Sequence, residues 1–185
     1  ISAICEKKQI ALANKETLVA GGEVVMAAVK EKGVKMLPVD SEHSAIFQSL
    51  MGNNKKDLKN IILTASGGPF FNKKREELSK VTVKDALNHP NWKMGNKITI
   101  DSATMTNKMF ELIEAAWLFG TKKLDAIIVP KSLVHALINF KDGSTTAHIA
   151  NASMQLPISY AILGRVDCEI LKPIDLLEIS SLEFK

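Results

Sequence analysis

Cysteine and aromatic residues are scarce in this chain. Cys5 and Cys168 stand far apart and in no Cys-x-x-Cys pair, which excludes a disulfide framework and a thiolate zinc site and leaves two reduced thiols, read most simply as core residues. The four histidines, His43, His89, His135 and His148, lack zinc spacing. Aromatic side chains make up 5% of the residues, and no basic stripe carries interleaved Tyr or Phe, so nucleic acid is not an expected partner. No apolar run approaches the roughly 20 residues that span a bilayer. The longest lies around Val24 to Val29, so a soluble protein without a membrane partner is expected. Ile1-Ser2-Ala3-Ile4 shows no charged segment leading into an apolar stretch, so no secretory signal is read there, and the chain reads as a piece of something longer. Gly-x-Gly-x-x-Gly, Gly-x-Ser-x-Gly and the P-loop pattern are absent as well, which leaves a complete dinucleotide fingerprint, an esterase elbow and a Walker site unsupported.

What is present is ordinary globular composition: 185 residues, 46% apolar and 24% charged, enough for one domain or a domain with an appendage. Twenty-four basic against 20 acidic side chains give a net charge of +4. The excess is shared among short clusters such as Lys55-Lys56 and Lys73-Lys74-Arg75, which suits a small anionic ligand better than a polyanion.

Along the chain, Gln9 to Ala13 reads as a buried strand followed by a helix whose face carries Leu18, Gly22, Val25 and Val29. Gly21-Gly22 within it suggests that another backbone packs closely there. Val34 to Val39 is a strand that ends at Asp40-Ser41-Glu42-His43, from which a helix departs. Lys59 to Ala65 is a third strand, broken by Ser66-Gly67-Gly68-Pro69. Thr82 caps a short helix over Val83 to Asn88, and His89 to Gly95 is irregular, with an exposed-looking Trp92. Lys97 to Asp101 is read as extended, and Ser102 as opening the longest helix, which stops near Phe119-Gly120. Strands follow at Leu124 to Val129, Ala136 to Phe140 and Ser144 to Ala150, the last two joined by a turn at Lys141-Asp142-Gly143, before a short helix over Met154 to Leu163. Leu171 to Leu177 is Pro-punctuated and extended, and Glu178 to Lys185 follows without obvious closure. Strands alternating with helices and then a hairpin indicate an α+β fold, a mixed β-sheet covered by helices.

Three loops at strand ends gather polar residues: Asn14-Lys15-Glu16, Asp40-Ser41-Glu42-His43 and Ser66-Gly67-Gly68. On the long helix, Met105, Met109, Leu112 and Ala116 make an apolar stripe, while Thr104, Asn107, Lys108 and Glu111 share another side. Asp40 and Glu42, with Glu111, offer hard oxygen ligands suited to Mg²⁺ or Mn²⁺; equally, Asp40 and Glu42 read as helix-start residues that complement the macrodipole. Ser66-Gly67-Gly68 with Ser102, Asn107 and Lys108 could cradle a phosphate, or be a tight turn and an N-cap. Lys15 reads either as a substrate-polarising cation or as a solvated charge, and His135 as a half-buried structural histidine unless the loops converge on it.

Five segments, Ala11-Leu12-Ala13-Asn14-Lys15-Glu16, Pro38 to Gln48, Thr64 to Phe70, His89-Pro90-Asn91-Trp92-Lys93-Met94-Gly95 and Asp101 to Lys108, together resemble the 1-deoxy-D-xylulose 5-phosphate reductoisomerase family. The resemblance implies a central catalytic domain over residues 1–170 and, over 171–185, the start of a linker toward a C-terminal helical domain, with an N-terminal NADPH-binding Rossmann domain outside this chain. It implies the metal-dependent isomerisation and NADPH-dependent reduction of 1-deoxy-D-xylulose 5-phosphate to 2-C-methyl-D-erythritol 4-phosphate, in the bacterial cytoplasm or the plastid stroma, by a homodimer. It also assigns Asp40, Glu42 and Glu111 to a divalent metal, Mn²⁺ or Mg²⁺, and Lys15, Glu42 and His89 to catalysis. Substrate contacts fall on Lys15, Ser41, Glu42, Ser66, His89, Ser102, Asn107, Lys108 and Glu111, with Trp92 on a closing flap, and NADPH contacts on Asn14, Glu16 and Gly95. Val129-Pro130-Lys131-Ser132, Ala152-Ser153-Met154 and Leu163-Gly164 depart from the family's His-Pro-Gln-Ser, Pro-Asp-Met and Trp-Pro; they bear on the wall of the sugar pocket. Two other classes remain in view: a dimerisation module without activity of its own, and a metal-dependent sugar-phosphate aldolase or lyase.

Overall fold

Two parallel strand pairs and one antiparallel hairpin organise residues 1–185, all of which the computed structural model describes. Helix α1 (Ser2–Cys5) leads to β1 (Ile10–Leu12), α2 (Glu16–Lys32) and β2 (Met36–Pro38), with β1 and β2 parallel. Next come α3 (Ser41–Leu50), a single 3-10 turn at Lys55–Asp57, and β3 (Leu58–Ala65). Helices α4 (Arg75–Leu78), α5 (Val83–Ala86), α6 (Asn96–Ala103) and α7 (Thr106–Phe119) form the crossover to β4 (Leu124–Ile128), parallel to β3. The antiparallel strands β5 (Val134–Phe140) and β6 (Thr145–Ile149) complete a sheet of order β4-β3-β5-β6, and α8 (Gln155–Leu163) follows. The fold is α+β with a mixed sheet, as the alternation of patterns predicts.

Side chains alternate across a strand, so Ile61 and Leu63 of β3 and Ala136, Ile138 and Phe140 of β5 point to one face of the sheet. Ala45 and Ile46 of α3 and Ala115 and Phe119 of α7 cover that face and close the main core. Truncating one of its large aliphatic residues to Ala costs about 2–5 kcal/mol. The consequence for function is positional: α3 and α7 are clamped side by side, and their first turns meet beyond the ends of the strands. A second cluster, Ile4, Leu12, Leu18 and Val25, fastens α1 and α2 to β1.

Several local expectations change. Lys97 to Asp101 is helical and lies within α6. Its β-branched Ile98, Thr99 and Ile100 favour a strand locally, but the helical turn is held by Thr99 Oγ1 donating to the Gly95 carbonyl at 2.8 Å and by a Lys97–Asp101 ion pair at 2.7 Å. Ser102 therefore sits in the last turn of a short helix rather than at the start of a long one. Helix α7 starts after Met105, which adopts a left-handed φ of 62°, and the longest helix is α2, with 17 residues against 14.

The amphipathic reading of α7 holds only in part. Leu112 packs against the main core beside Ala115 and Phe119, but Met109 is 51% exposed, and Lys108, Glu111 and Glu114 are buried. Buried polar groups need partners: Lys108 pairs with Glu111, and Glu114 Oε2 faces His43 Nδ1 at 3.5 Å, so this part of the polar stripe faces inward. At Gly22 the close neighbour is the Trp117 indole rather than another backbone: an added Cβ would lie 2.2 Å from Nε1. Cys5 and Cys168 are exposed, free thiols instead of core residues. At the other end, Lys185 and Ile128 exchange two backbone hydrogen bonds of 2.9 Å, so the segment after Leu177 returns to the outer edge of β4. No helix is long and apolar enough to cross a membrane.

Candidate active site

A cavity of about 310 Å³ opens where β1, β2 and β3 end. The loop after β1 contributes Lys15, the start of α3 contributes Asp40, Ser41 and Glu42, the loop after β3 contributes Ser66, and α6 and α7 contribute Ser102, Asn107, Lys108 and Glu111. Asp40 is the N-cap of α3, its carboxylate accepting from Ser41 N at 3.1 Å. The helix-start reading of Asp40 is thus correct, yet it does not exhaust the residue. Its other oxygen pairs with the Lys15 ammonium at 2.5 Å.

The charges interlock. Lys15 Nζ also reaches Asn107 Oδ1 at 2.8 Å and Glu111 Oε1 at 3.2 Å. Lys108 Nζ donates to Glu42 Oε1 at 3.0 Å and to Glu111 Oε2, and the Ser41 hydroxyl donates to Glu42 Oε2 at 2.6 Å. One carboxylate oxygen each from Asp40, Glu42 and Glu111 lies within 4.8 Å of the others. Burial raises the Glu42 carboxyl, but Lys108, the Ser41 hydroxyl and Lys15 outweigh it and bring it down to about 2. Burial first, and then the Glu42 and Asp40 carboxylates, push Glu111 up to about 7 against the pull of Lys108 and Lys15. Burial disfavours the charged form of Lys15, but Asp40 and Glu111 reverse this and raise it above its ordinary value, so it remains a cation.

Three carboxylates against two ammonium groups leave the cluster one positive charge short of neutrality. Hard oxygen donors at this spacing fit a small divalent cation such as Mg²⁺ or Mn²⁺, whose binding would displace the proton that Glu111 holds up to about pH 7. Behind the cluster, His43 is fully buried and stacks on Phe119 with ring centroids 6.3 Å apart. Its Nε2 lies 2.9 Å from the Glu111 carbonyl, which can only accept, so Nε2 carries the proton. Nδ1 faces Glu114 Oε2 at 3.5 Å and Asp40 Oδ2 at 3.8 Å, and burial pushes Glu114 up to about 7.

The opposite wall is built around Ser66. Gly67 and Gly68 have φ of 86° and 68°, where L side chains are strained, and a Cβ on Gly68 would lie 2.7 Å from the Ser102 carbonyl. The turn lets Gly68 N donate to Ser66 Oγ at 3.1 Å. His89 Nδ1 accepts from the backbone N–H of Asn91 at 3.1 Å and of Trp92 at 3.0 Å, so its proton is on Nε2, which donates to Ser66 Oγ at 2.9 Å. Ser66 Oγ, with two donors already aimed at it, has its own proton to offer to the cavity. Burial lowers the pKa of His89, which keeps it neutral.

The cavity brings together Lys15, Asp40, Ser41, Glu42, Ser66, His89, Trp92, Ser102, Asn107, Lys108 and Glu111. Lys15 is 5% exposed, not a solvated charge, and Trp92 is half-buried, its ring edge-on to His135 at 6.3 Å. Asn14, Glu16 and Gly95 stand outside the lining: Asn14 Oδ1 accepts from Thr17 N at 3.1 Å, Glu16 pairs with Lys97, and Gly95 is the N-cap of α6. Sequence reasoning missed Glu114, one turn beyond Glu111 on the same face. The loops do converge on His135. Thr64 Oγ1 bonds to the Val134 and His135 carbonyls at 2.6 and 2.9 Å, beside a register shift between β5 and β6, and the strand there buries Val134, His135 and Ala136 in succession. At the departures from the family pattern, Val129 is buried, donating its N–H to Ala65 at 2.7 Å, while Ser132 and Met154 line the cavity.

Comparison with known proteins matches the sequence and the fold to a family. The family model for the 1-deoxy-D-xylulose 5-phosphate reductoisomerase C-terminal domain matches residues 36–119. The 1-deoxy-D-xylulose 5-phosphate reductoisomerase of Acetivibrio thermocellus is 54% identical over 100% of this chain and 49% of its own length, and that of a Thermoanaerobacter species is 58% identical over 88% of this chain and 43% of its own. The chain spans about half the length of the curated relatives it matches. Among solved structures, a DOX-P reductoisomerase in complex with NADPH, fosmidomycin and magnesium superposes with a TM-score of 0.92 at 40% identity, over 100% of this chain and 48% of that one. The Zymomonas mobilis enzyme in complex with NADPH gives 0.89 at 40% identity, with the same coverage. In sequence over its whole length and in fold, the chain belongs to the 1-deoxy-D-xylulose 5-phosphate reductoisomerase family.

Proposed function

We propose that this chain carries the metal and substrate site of an enzyme that isomerises 1-deoxy-D-xylulose 5-phosphate and reduces the product with NADPH to 2-C-methyl-D-erythritol 4-phosphate. The observation that carries the reading is the meeting of Asp40, Glu42 and Glu111, from two separate helices, with ligand oxygens within 4.8 Å. Relatives of the same name, and a neighbour bound to NADPH, fosmidomycin and magnesium, support it.

Asp40, Glu42 and Glu111 would hold Mg²⁺ or Mn²⁺, which supplies Lewis-acid polarisation of substrate oxygens while the carbon skeleton rearranges. Lys15, kept protonated, places a fixed positive charge beside the same oxygens, and the Ser41 hydroxyl holds Glu42 in its ionised, ligating state. Ser66, Ser102, Asn107 and Lys108 are assigned to the phosphate and hydroxyls. The free Ser66 proton and the Lys108 ammonium suit an anion there. Neutral His89 donates through Nε2 and does not act as a strong base. Trp92 covers the site and excludes water. Asn14, Glu16 and Gly95, just outside the cavity, are assigned to NADPH.

The reading extends to residues 1–170 as a catalytic domain and 171–185 as the start of a linker. A nicotinamide-binding unit lies outside these residues, so the isolated chain should not oxidise NADPH. It also includes a homodimer in a bacterial cytoplasm or plastid stroma. The outward Ile162 and Leu163 of α8, 68% and 69% exposed, support self-association, and sedimentation of the chain as a monomer counts against it.

Calorimetry of Mn²⁺ with the chain and with Glu42→Gln tests the core of the proposal. Losing one anionic ligand should weaken binding by about 10- to 100-fold or more. Equal affinity in the two proteins would remove the metal site and the reading with it.

A further inference from the structure

We propose that Asn91 is a positioning residue that latches the Trp92 segment shut over the cavity. The Asn91 amide nitrogen spends both its hydrogens on one loop, donating to the Pro130 carbonyl at 2.5 Å and to Ser132 Oγ at 2.8 Å. That loop is a tight turn between β4 and β5, closed by Ser132 N donating to Val129 O at 2.9 Å. Ser132 adopts φ of 51°, a left-handed conformation uncommon for a non-glycine residue, and it is buried.

The grip is transmitted in both directions. The backbone N–H groups of Asn91 and Trp92 both end on His89 Nδ1, which fixes the proton on Nε2 and aims it at Ser66 Oγ. The next residue, Trp92, stands edge-on to His135 of β5, immediately beyond the same turn. A single side chain amide thus ties the His89–Gly95 segment to the sheet while setting the direction of the His89 donor and the cover of the Trp92 ring. Asn91 itself is exposed and belongs to neither hydrophobic core cluster, so its loss should release the segment without unfolding the protein.

The inference rests on the functional reading above only for His89 and Ser66 as anion contacts. The latch itself is a property of the ligand-free chain. Asn91→Asp keeps the shape but replaces the two donors with an oxygen that repels the Pro130 carbonyl, and Ser132→Ala removes one acceptor from the other side. The test is residue-resolved amide hydrogen exchange on the whole 185-residue chain, alongside calorimetry with inorganic phosphate. In Asn91→Asp the Asn91 and Trp92 amides should exchange about tenfold faster, with the Ile61 and Leu63 amides of β3 unchanged. Phosphate affinity should fall severalfold, and adding Ser132→Ala to Asn91→Asp should change little further because the two act through one contact. Unchanged Trp92 exchange overturns the latch, as does an equal acceleration of the β3 amides, which marks a merely structural role. Faster Trp92 exchange with no phosphate bound to either protein upholds the latch and counts against the anion-site reading.

Discussion

The imidazole of His43 donates from Nε2 to the main-chain carbonyl of Glu111 at 2.9 Å, joining residues 68 positions apart in the chain. Through this bond the helix that carries Asp40 and Glu42 is registered against the helix that carries Glu111. His43→Phe keeps the stack on Phe119 and removes the donor. A buried carbonyl left unsatisfied costs about 1–3 kcal/mol, and with the two helices free to slide, Mn²⁺ affinity should fall about tenfold. Urea unfolding and calorimetry measure the two effects. A variant as stable and as tightly metal-binding as the parent would show that the bond is idle.

Lys108 stands between two buried carboxylates. Lys108→Met deletes the charge and keeps much of the volume, which leaves Glu42 and Glu111 facing each other. Removing one partner of a buried ion pair typically costs about 3–5 kcal/mol. The loss should appear as a lowered melting temperature, and saturating Mn²⁺ should restore part of it by supplying the missing charge. If the melting temperature does not move, the Lys108 contacts with Glu42 and Glu111 contribute little.

The acid–base behaviour of Glu111 has a definite sign. Its folded value of about 7 lies above the ordinary 4.5, so between these pH values the folded state binds the extra proton. The resulting stability is present at low pH and is lost as pH rises toward 7. Glu42, depressed to about 2, acts in the opposite sense and only between pH 4.5 and about 2. His148, lowered to about 4 by burial and by His135 and Arg165, also opposes Glu111 in the middle range. A difference measurement therefore isolates the effect: relative to Glu111→Gln, the metal-free parent should lose stability from pH 4.5 to 7 and level off above. Mn²⁺ binding to the parent should strengthen over the same range and release protons. A difference curve that climbs with pH contradicts the assignment.

Gly68 packs directly on the end of α6. In Gly68→Ala the new methyl meets the Ser102 carbonyl, at 2.7 Å in the present geometry, on a residue already at a φ of 68°. A cost of about 1–3 kcal/mol is expected, together with loss of the Gly68 N–H from Ser66 Oγ and a drop in inorganic phosphate affinity. Gly143→Ala, in the open β5–β6 turn with φ of 94° and no neighbour within 4 Å, serves as the control for backbone strain alone and should leave phosphate binding intact.

Local chemistry in the sequence was enough to place the strand ends and the loops that follow them. Gly and Pro interrupt β3 at Ser66-Gly67-Gly68-Pro69, and the cap at Thr82, with its reciprocal Asp85 bond, is legible because side chain and backbone partners lie three residues apart. The α+β class followed from alternation of patterns; residue type left Asp40 and Glu42 open between ligands and helix-start residues, and the family resemblance chose between them. Two kinds of reading failed. At Ile98-Thr99-Ile100 β-branched propensity outvoted local contacts four residues apart, Thr99 to Gly95 and Lys97 to Asp101, that close helical turns; elsewhere the outcome depended on a distant neighbour. Of the stripe Met105, Met109, Leu112 and Ala116, Leu112 packs against the main core, and the sheet also takes Ala115 and Phe119.

Composition, residue order and short-range periodicity by themselves determined that the chain folds around a mixed sheet and that its polar loops sit at strand ends, and they offered Asp40, Glu42 and Glu111 as hard oxygen ligands beside a helix-start reading. Tertiary structure alone decided that Lys15 and Lys108 are buried cations, that His43 and Glu114 back the carboxylates, and that Asn91 reaches the Pro130–Ser132 turn. The reason is physical: propensity and spacing act within a few residues. The electrostatics of a buried site depend on which charges, from anywhere in the chain, are brought within a few ångströms of one another away from water.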